Sequence, residues 1–326
     1  MGRRHIEAVA HLNLVGICDT SSESLAAAAE EHKIPARCLF RDAQTMLHET
    51  RPRLVIISTT APSHSEYTCM AAETGVEYIL CEKPMAVSLA QCDRMMNTCR
   101  QNGAKLAINH QMRYMPHYIK AKEIVESRSF GGICSVSVVG GNFGMAMNGL
   151  HYFEMFRYIT NEAPIEAVGW FSGAKIANPR GKQFEDKAGS IRLMTTSGKR
   201  FYMEVGDDQG HGLLVTYAGS HGLLVVNELM GTMHLSVREE QYRDLPTTRY
   251  AMPSTEETIK ITPTAVVEPT QALIKDLLAG RGYTTGEEGK LAISALVAAY
   301  LSSENGSKPV RIQDKNLPTD RIFPWA

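Results

Sequence analysis

Residues 54–84, LVIISTTAPSHSEYTCMAAETGVEYILCEKP, decide the fold. Leu54 to Ser58 is an unbroken apolar run of strand length, and Thr59-Thr60-Ala61-Pro62 turns the chain out of it. Ser63 and Glu66 have the spacing of a capping box, and Gly75 stands where a helix ending in the left-handed conformation favours glycine. Val76 to Cys81 is a second buried strand, ended by Glu82-Lys83-Pro84. Strand, helix and strand in so short a length read as one parallel βαβ unit.

The same rhythm extends both ways. Upstream, Leu12 to Cys18 is strand-like and ends at Asp19, and Ser21 to Lys33 is Ala-rich and helical, with Pro35 beyond it. Downstream, Ser88 caps a helix whose apolar stripe is Leu89, Cys92, Met96 and Cys99, and Ala104 to Asn109 is the next strand. The expected class is α/β, with a doubly wound parallel sheet over residues 1–118. The texture then changes. Gly149 to Thr160 reads as a helix, and residues 166–239 read as strands broken by turns such as Thr196-Ser-Gly-Lys199 and Gly219-Ser-His-Gly222. Arg200 to Val205 alternates apolar and polar residues, as expected of an antiparallel sheet with one open face. A helix from Thr270 to Ala279 and another opened by a Thr285/Glu288 capping box complete an α+β domain expected over residues 119–326.

Composition narrows the function. The chain has 326 residues with 34 Lys plus Arg against 35 Asp plus Glu, so no basic surplus points to nucleic acid or an anionic membrane. No apolar run approaches the roughly 18 residues of a membrane span. The 7 cysteines are odd in number and form no C-x-x-C, so no disulfide framework or zinc knuckle is expected, and no metal. Ile6 stands where a myristoylation signal wants Ser or Thr, and polar residues interrupt any export h-region. The expected location is the cytoplasm.

Ligands of an open parallel sheet bind beyond the carboxyl ends of its strands. Those ends carry Asp19, Thr59-Thr60, Glu82-Lys83-Pro84 and Asn109 to Arg113. Asp19 is placed to accept hydrogen bonds from an adenosine ribose, or else caps a helix in Asp-Thr-Ser-Ser. Lys83, at the edge of a crevice, suits proton exchange with a hydroxyl, although Glu-Lys-Pro arises by chance in roughly one chain of this size in twenty. Asn148, His151 and Glu154 share a helix face, which either orients an imidazole for proton transfer or is a solvated stripe. Phe143, Tyr114, Tyr152 and Trp170 are candidates to stack on a sugar face, and an aromatic is more often core.

In this order, the run 54–84, the segment Asn109 to Pro116 (NHQMRYMP), the helix around Asn148-Gly-Leu-His151-Tyr-Phe-Glu154 and the ending Ala279-Gly-Arg with Tyr283-Thr-Thr-Gly-Glu-Glu resemble the glucose–fructose oxidoreductase / inositol dehydrogenase (Gfo/Idh/MocA) family. The resemblance implies a Rossmann domain that binds NAD or NADP. It also implies a second domain whose open sheet builds a homodimer or homotetramer. The chemistry it implies is reversible hydride transfer at a secondary alcohol of a sugar, cyclitol or sugar derivative. Lys83 matches the family's proton-exchanging lysine and His151 its assisting histidine, with Tyr114 and Asn148 at the substrate and Arg113 at substrate or cofactor. Gly2, Asp19, Thr59, Thr60, Pro62, His64 and Glu82 would line the dinucleotide beside Lys83.

The chain departs from the family pattern in three places. An Asp often stands four residues before the histidine, where this chain has Met147, and the Asp three residues after it is Glu154. The family opens with an apolar strand and G-x-G-x-x-G, whereas this sequence opens at what resembles the last glycine, Gly2; the pyrophosphate turn is therefore expected to be incomplete and NAD binding weak. Asp19 would repel a 2′-phosphate. Thr20, Ser21 and Ser22 bring no cation, and Lys33, the nearest downstream basic residue, lies beyond the helix, so NAD is expected over NADP. The alternative function is a non-catalytic relative that binds a sugar or acts as a scaffold.

Overall fold

The computed structural model describes residues 1–326 except 142–143, 247–252 and 263–264, and the side chains of 174–175. Phe143 lies outside the described residues. The chain divides into two compact units: residues 1–114, 265–290 and 319–323, and residues 115–264, 291–318 and 324–326.

In the first unit, helices α1 (Gly2–Ala8), α2 (Ser22–His32), α3 (Ala43–Thr50), α4 (Ala61–Glu73) and α5 (Leu89–Gln101) alternate with short strands. Strands β1 (Ile17–Cys18) and β2 (Leu39–Phe40) pair in parallel, and so do β3 (Leu54–Ile57), β4 (Tyr78–Cys81) and β5 (Lys105–Ile108) in that order. All four β4 residues are buried, and so is most of β5, as expected for a parallel sheet covered on both faces. The strand expected over 12–18 is regular only at Ile17–Cys18.

Local chemistry sets the helix ends. The Ser21, Asp42 and Ser88 side chains accept the N–H groups of Ser24, Thr45 and Gln91, capping α2, α3 and α5. The expected cap at Ser63 is corrected. Pro62 fits the first turn of a helix, so α4 starts at Ala61 with Thr60 as its N-cap and without a side-chain cap. The Ser63 hydroxyl instead donates to Thr60 O at 3.0 Å, and Glu66 is an ordinary helical residue.

The first unit also takes residues from late in the sequence, unlike the expected division at 118. Helix α8 (Val267–Ala279) buries Leu273, Ile274 and Leu277 against Ala8, Val9, Tyr78, Leu80 and Ala107. The Ile108 N–H donates to Thr284 O at 2.9 Å, so the loop after α8 extends the β5 edge. The Thr285/Glu288 capping box forms as expected: Thr285 N donates to Glu288 Oε2 at 3.0 Å and Glu288 N to Thr285 Oγ1 at 3.3 Å, opening α9 (Gly286–Glu304).

The second unit is built on a mixed sheet of nine strands. Its strands are β6 (Ile133–Gly141), β7 (Pro164–Ile176), β8 (Asp186–Thr195), β9 (Arg200–Gly206), β10 (Leu214–Gly219), β11 (Gly222–Asn227), β12 (Thr232–Arg238), β13 (Ser254–Lys260) and β14 (Val310–Arg311), in the order β13-β12-β11-β10-β6-β9-β8-β7-β14. Among the described residues, β6 and β9 pair in parallel and the other neighbouring strands pair antiparallel. In β9, Phe201, Met203 and Val205 are buried while Arg200 and Tyr202 are exposed, the alternation read from the sequence. Trp170 (58% exposed), Met194 and Tyr202 stay accessible on the sheet. Helices α6 (Pro116–Glu126) and α7 (Leu150–Thr160) belong to the same unit.

Candidate functional site

In the first unit, the residues singled out in the sequence gather at the carboxyl ends of β1, β3, β4 and β5. Glu82 follows β4 and is 1% exposed. Its Oε1 accepts from His5 Nε2 at 2.7 Å and Asn109 Nδ2 at 2.9 Å, while Oε2 accepts the Lys83 N–H at 3.3 Å. Burial alone would raise this carboxyl. The bonds and charges of His5, Lys83 and Asn109 outweigh it and hold the group well below the usual carboxylate range. Glu82 is thus a buried anchor for the turn that carries Lys83. His5 was not foreseen; the helical spacing that buries it in α1 was the available signal.

His64 is also an anchor. It is 1% exposed, with Nδ1 at 2.8 Å from Pro84 O and Nε2 at 3.1 Å from Thr59 O. The ring ties the turn after β3 to the turn after β4. Lys83 itself is 9% exposed and precedes Pro84 through a cis peptide bond.

Asp19 ends β1 and is exposed, one carboxylate oxygen accepting the Ser21 N–H at 2.8 Å. Thr59, Thr60 and Pro62 lie at the start of α4, where Thr60 gives no side-chain cap, Pro62 has no N–H and the Ser63 N–H donates to Thr60 O at 3.1 Å. Gly2 begins α1, and a Cβ there would meet Ser58 Oγ at 3.4 Å, so the backbone passes close over the end of β3. The residues fit a dinucleotide at its adenosine ribose, where the exposed Asp19 carboxylate can accept hydroxyls. One premise fails, however. Arg41, just after β2, reaches the Ser22 hydroxyl, so a cation does stand beside Asp19.

Arg113 and Tyr114 turn toward residues 276–288. Arg113 Nη2 lies 3.4 Å from Glu288 Oε2 and Nη1 donates to Gly282 O at 3.3 Å; Tyr114 OH donates to Asp276 at 2.9 Å. Glu288 therefore serves both the capping box and Arg113.

In the second unit, a π-helical turn at Met145–Gly149 leads into α7, which presents His151. Such turns concentrate at functional sites. Asp186, 2% exposed, accepts the N–H groups of Ala146 and Met147, each at 2.9 Å, and fixes the turn that carries Asn148. Nothing in the local sequence marked Asp186. It explains Gly144, where a Cβ would sit 2.0 Å from its Oδ2. Glu154 is held by Arg157 in a two-pronged pair at 2.7 and 2.9 Å, so its carboxylate faces a cation on its own helix. Tyr152 is buried, its hydroxyl on Glu228 together with that of Tyr118. Burial raises the Glu228 carboxyl, which the two hydroxyls offset only in part. Tyr152 is therefore core, while Trp170 is exposed.

Among the described residues, one group of metal-type side chains clusters, Glu7, Glu31 and His32, and Arg3 already pairs with Glu31 at 2.7 Å. No helix among them is long and apolar enough to cross a membrane.

Residues 1–110 match the family model for the GFO_IDH_MocA oxidoreductases, described as an NAD-binding Rossmann fold. The chain is similar to D-apiose dehydrogenase of Paraburkholderia graminis, with 37% identity over 35% of this chain and 30% of that one. It is similar to inositol 2-dehydrogenase of Salmonella typhimurium, with 28% identity over 40% and 38%. The chain thus spans about a third of the length of these curated relatives. A solved oxidoreductase from Agrobacterium radiobacter, in complex with NAD+, L-tartaric acid and magnesium, shares the fold at TM-score 0.78 and 19% identity, covering 95% of each chain. Residues 1–110 are thus an NAD-binding Rossmann domain of the Gfo/Idh/MocA oxidoreductase type.

Proposed function

We propose that the chain is a cytoplasmic oxidoreductase that prefers NAD and moves a hydride to or from a secondary alcohol of a sugar, cyclitol or sugar derivative. One observation carries this reading: Lys83, following a buried strand of an NAD-binding fold, has its turn fixed from two sides by Glu82 and His64. A turn held this way fixes where the lysine side chain leaves the backbone, which reduces the entropy that general acid–base catalysis must spend in placing the amine. Bound nicotinamide supplies the hydride acceptor or donor. Asp19 accepts the ribose hydroxyls, Thr59, Thr60 and Pro62 flank the dinucleotide, and Gly2 lets the backbone approach it. Lys83 Nζ exchanges the proton of the reacting hydroxyl. His151 assists that transfer, Asn148 and Tyr114 orient substrate, and Arg113 stands at substrate or cofactor; these roles rest on the family resemblance. The open face of the second unit's sheet, with Trp170, Met194 and Tyr202, is proposed to pair copies of the chain into a dimer or tetramer.

The test is NADH formation with D-apiose, myo-inositol and a panel of other polyols and nucleotide sugars. One substrate is expected to reduce NAD, and Lys83→Ala is expected to lower kcat/KM by about 10²-fold or more while NAD affinity holds. Near-normal turnover by Lys83→Ala overturns the assignment. A second reading, a sugar-binding relative without turnover, is favoured by Met147 and by the engagement of Glu154 with Arg157; a polyol that binds with NAD but never reduces it would support that reading instead.

A further inference from the structure

Asp19 and Arg41 leave the carboxyl edge of the β1–β2 pair as neighbours. Cys18 pairs with Phe40 in parallel register, and the Asp19 N–H donates to Phe40 O at 3.2 Å, so the next residue on each strand emerges beside the other. Both side chains are exposed, and both are tied to the start of α2. Asp19 Oδ1 accepts the Ser21 N–H at 2.8 Å, and Arg41 Nη1 donates to the Ser22 hydroxyl. Among the described residues Arg41 forms no ion pair. The adjacent Asp42 is turned to its own helix, where its carboxylate caps Thr45 N at 2.6 Å.

A carboxylate alone at this position rejects a 2′-phosphate by like-charge repulsion and accepts the two ribose hydroxyls of NAD. A guanidinium next to it changes that balance. Arg41 spends one N–H on a neutral hydroxyl, and a phosphate offers a charged, two-oxygen acceptor that matches the guanidinium fork better. We propose that Arg41 sets the discrimination at the adenosine 2′ position: Asp19 makes NAD the tighter ligand, and Arg41 keeps NADP from being excluded. This rests on the dinucleotide reading of the first unit and adds to it a specificity-determining residue.

Calorimetric titration of the full chain with NAD and NADP, and with AMP and adenosine 2′,5′-bisphosphate as shorter probes, tests the assignment. Arg41→Ala is expected to weaken NADP and the bisphosphate about tenfold or more, the scale of one charge-assisted bond to phosphate, and to leave NAD and AMP within about twofold. Arg41→Lys should recover part of the loss. Raising salt from about 0.05 to 0.5 M should weaken NADP in the unaltered chain and have less effect in Arg41→Ala, because the attraction is screened at an exposed site. If NAD binds and the NAD/NADP ratio is the same in Arg41→Ala, the inference is overturned while the dinucleotide reading stands. An equal loss of both ligands also overturns it, since Arg41 would then only support the first turn of α2. If neither dinucleotide binds the unaltered chain, the reading fails and the inference falls with it.

Discussion

Replacing Glu82 by glutamine removes one charge from a site buried away from solvent. His5, Glu82 and Asn109 are 5%, 1% and 0% exposed, and the two short bonds to Glu82 measure 2.7 and 2.9 Å. Glutamine keeps the size and one acceptor oxygen, so the loss is the difference between charged and neutral hydrogen bonds. That difference is about 1–1.5 kcal/mol per bond, giving about 2–3 kcal/mol for Glu82→Gln. Glu82→Ala leaves His5 and Asn109 facing an empty space and should cost about 3–5 kcal/mol. Because the chain has two compact units, a single unfolding transition is not assured, and hydrogen exchange at Leu80 and Ile108 is the sharper measurement. Exchange there should accelerate by roughly 10²-fold in Glu82→Gln. The pH dependence has a definite sign. The folded carboxyl lies below its unfolded value, so its stabilisation is present above about pH 5 and is lost as pH falls through the acid range toward the folded value. Glu82→Gln should lack that component of the acid limb. A cost under about 1 kcal/mol, or an acid limb identical to that of the unaltered chain, refutes the assignment of Glu82 as the anchor of the Lys83 turn.

Gly189 has φ 137°, and a Cβ there would lie 2.2 Å from Trp170 O, a backbone atom that cannot step aside. Gly189→Ala should destabilise the second unit by more than about 2 kcal/mol, read as a lower thermal midpoint in tryptophan fluorescence, while Gly210→Ala, with nothing within 4 Å, should be near neutral. Trp170→Glu places a charge on the open sheet face and should lower the mass seen in sedimentation velocity; an unchanged mass removes this face from the assembly.

Much of the first unit was legible because its signals are local. Strand runs such as Leu54–Ile57, the Ser88 cap, and the Thr285/Glu288 box act within a few residues, and the structure keeps all three. Ser63 shows where two local signals compete. Pro62 has only one comfortable position in a helix, the first turn, and that fixes the start at Ala61 whatever Ser63 and Glu66 favour. The ordered set from Asp19 to His151 also carried the family resemblance, and its members that end successive parallel strands fall on one edge of a sheet by topology alone.

What the tertiary structure decided are the partnerships between residues far apart in sequence. Whether Glu82 and His64 would touch a ligand or anchor a turn depended on His5, 77 residues away, and on Pro84 O, 20 residues away. Arg113 meets Glu288, 175 residues later, and α8 joins the first unit because its Leu273, Ile274 and Leu277 find their apolar surface on α1 and β4. The absence of a cation near Asp19 was a statement about sequence neighbours; Arg41 lies beyond the helix in sequence and reaches Ser22 because two parallel strands end side by side. Periodicity records which face of an element is buried, and only the folded chain determines what that face meets.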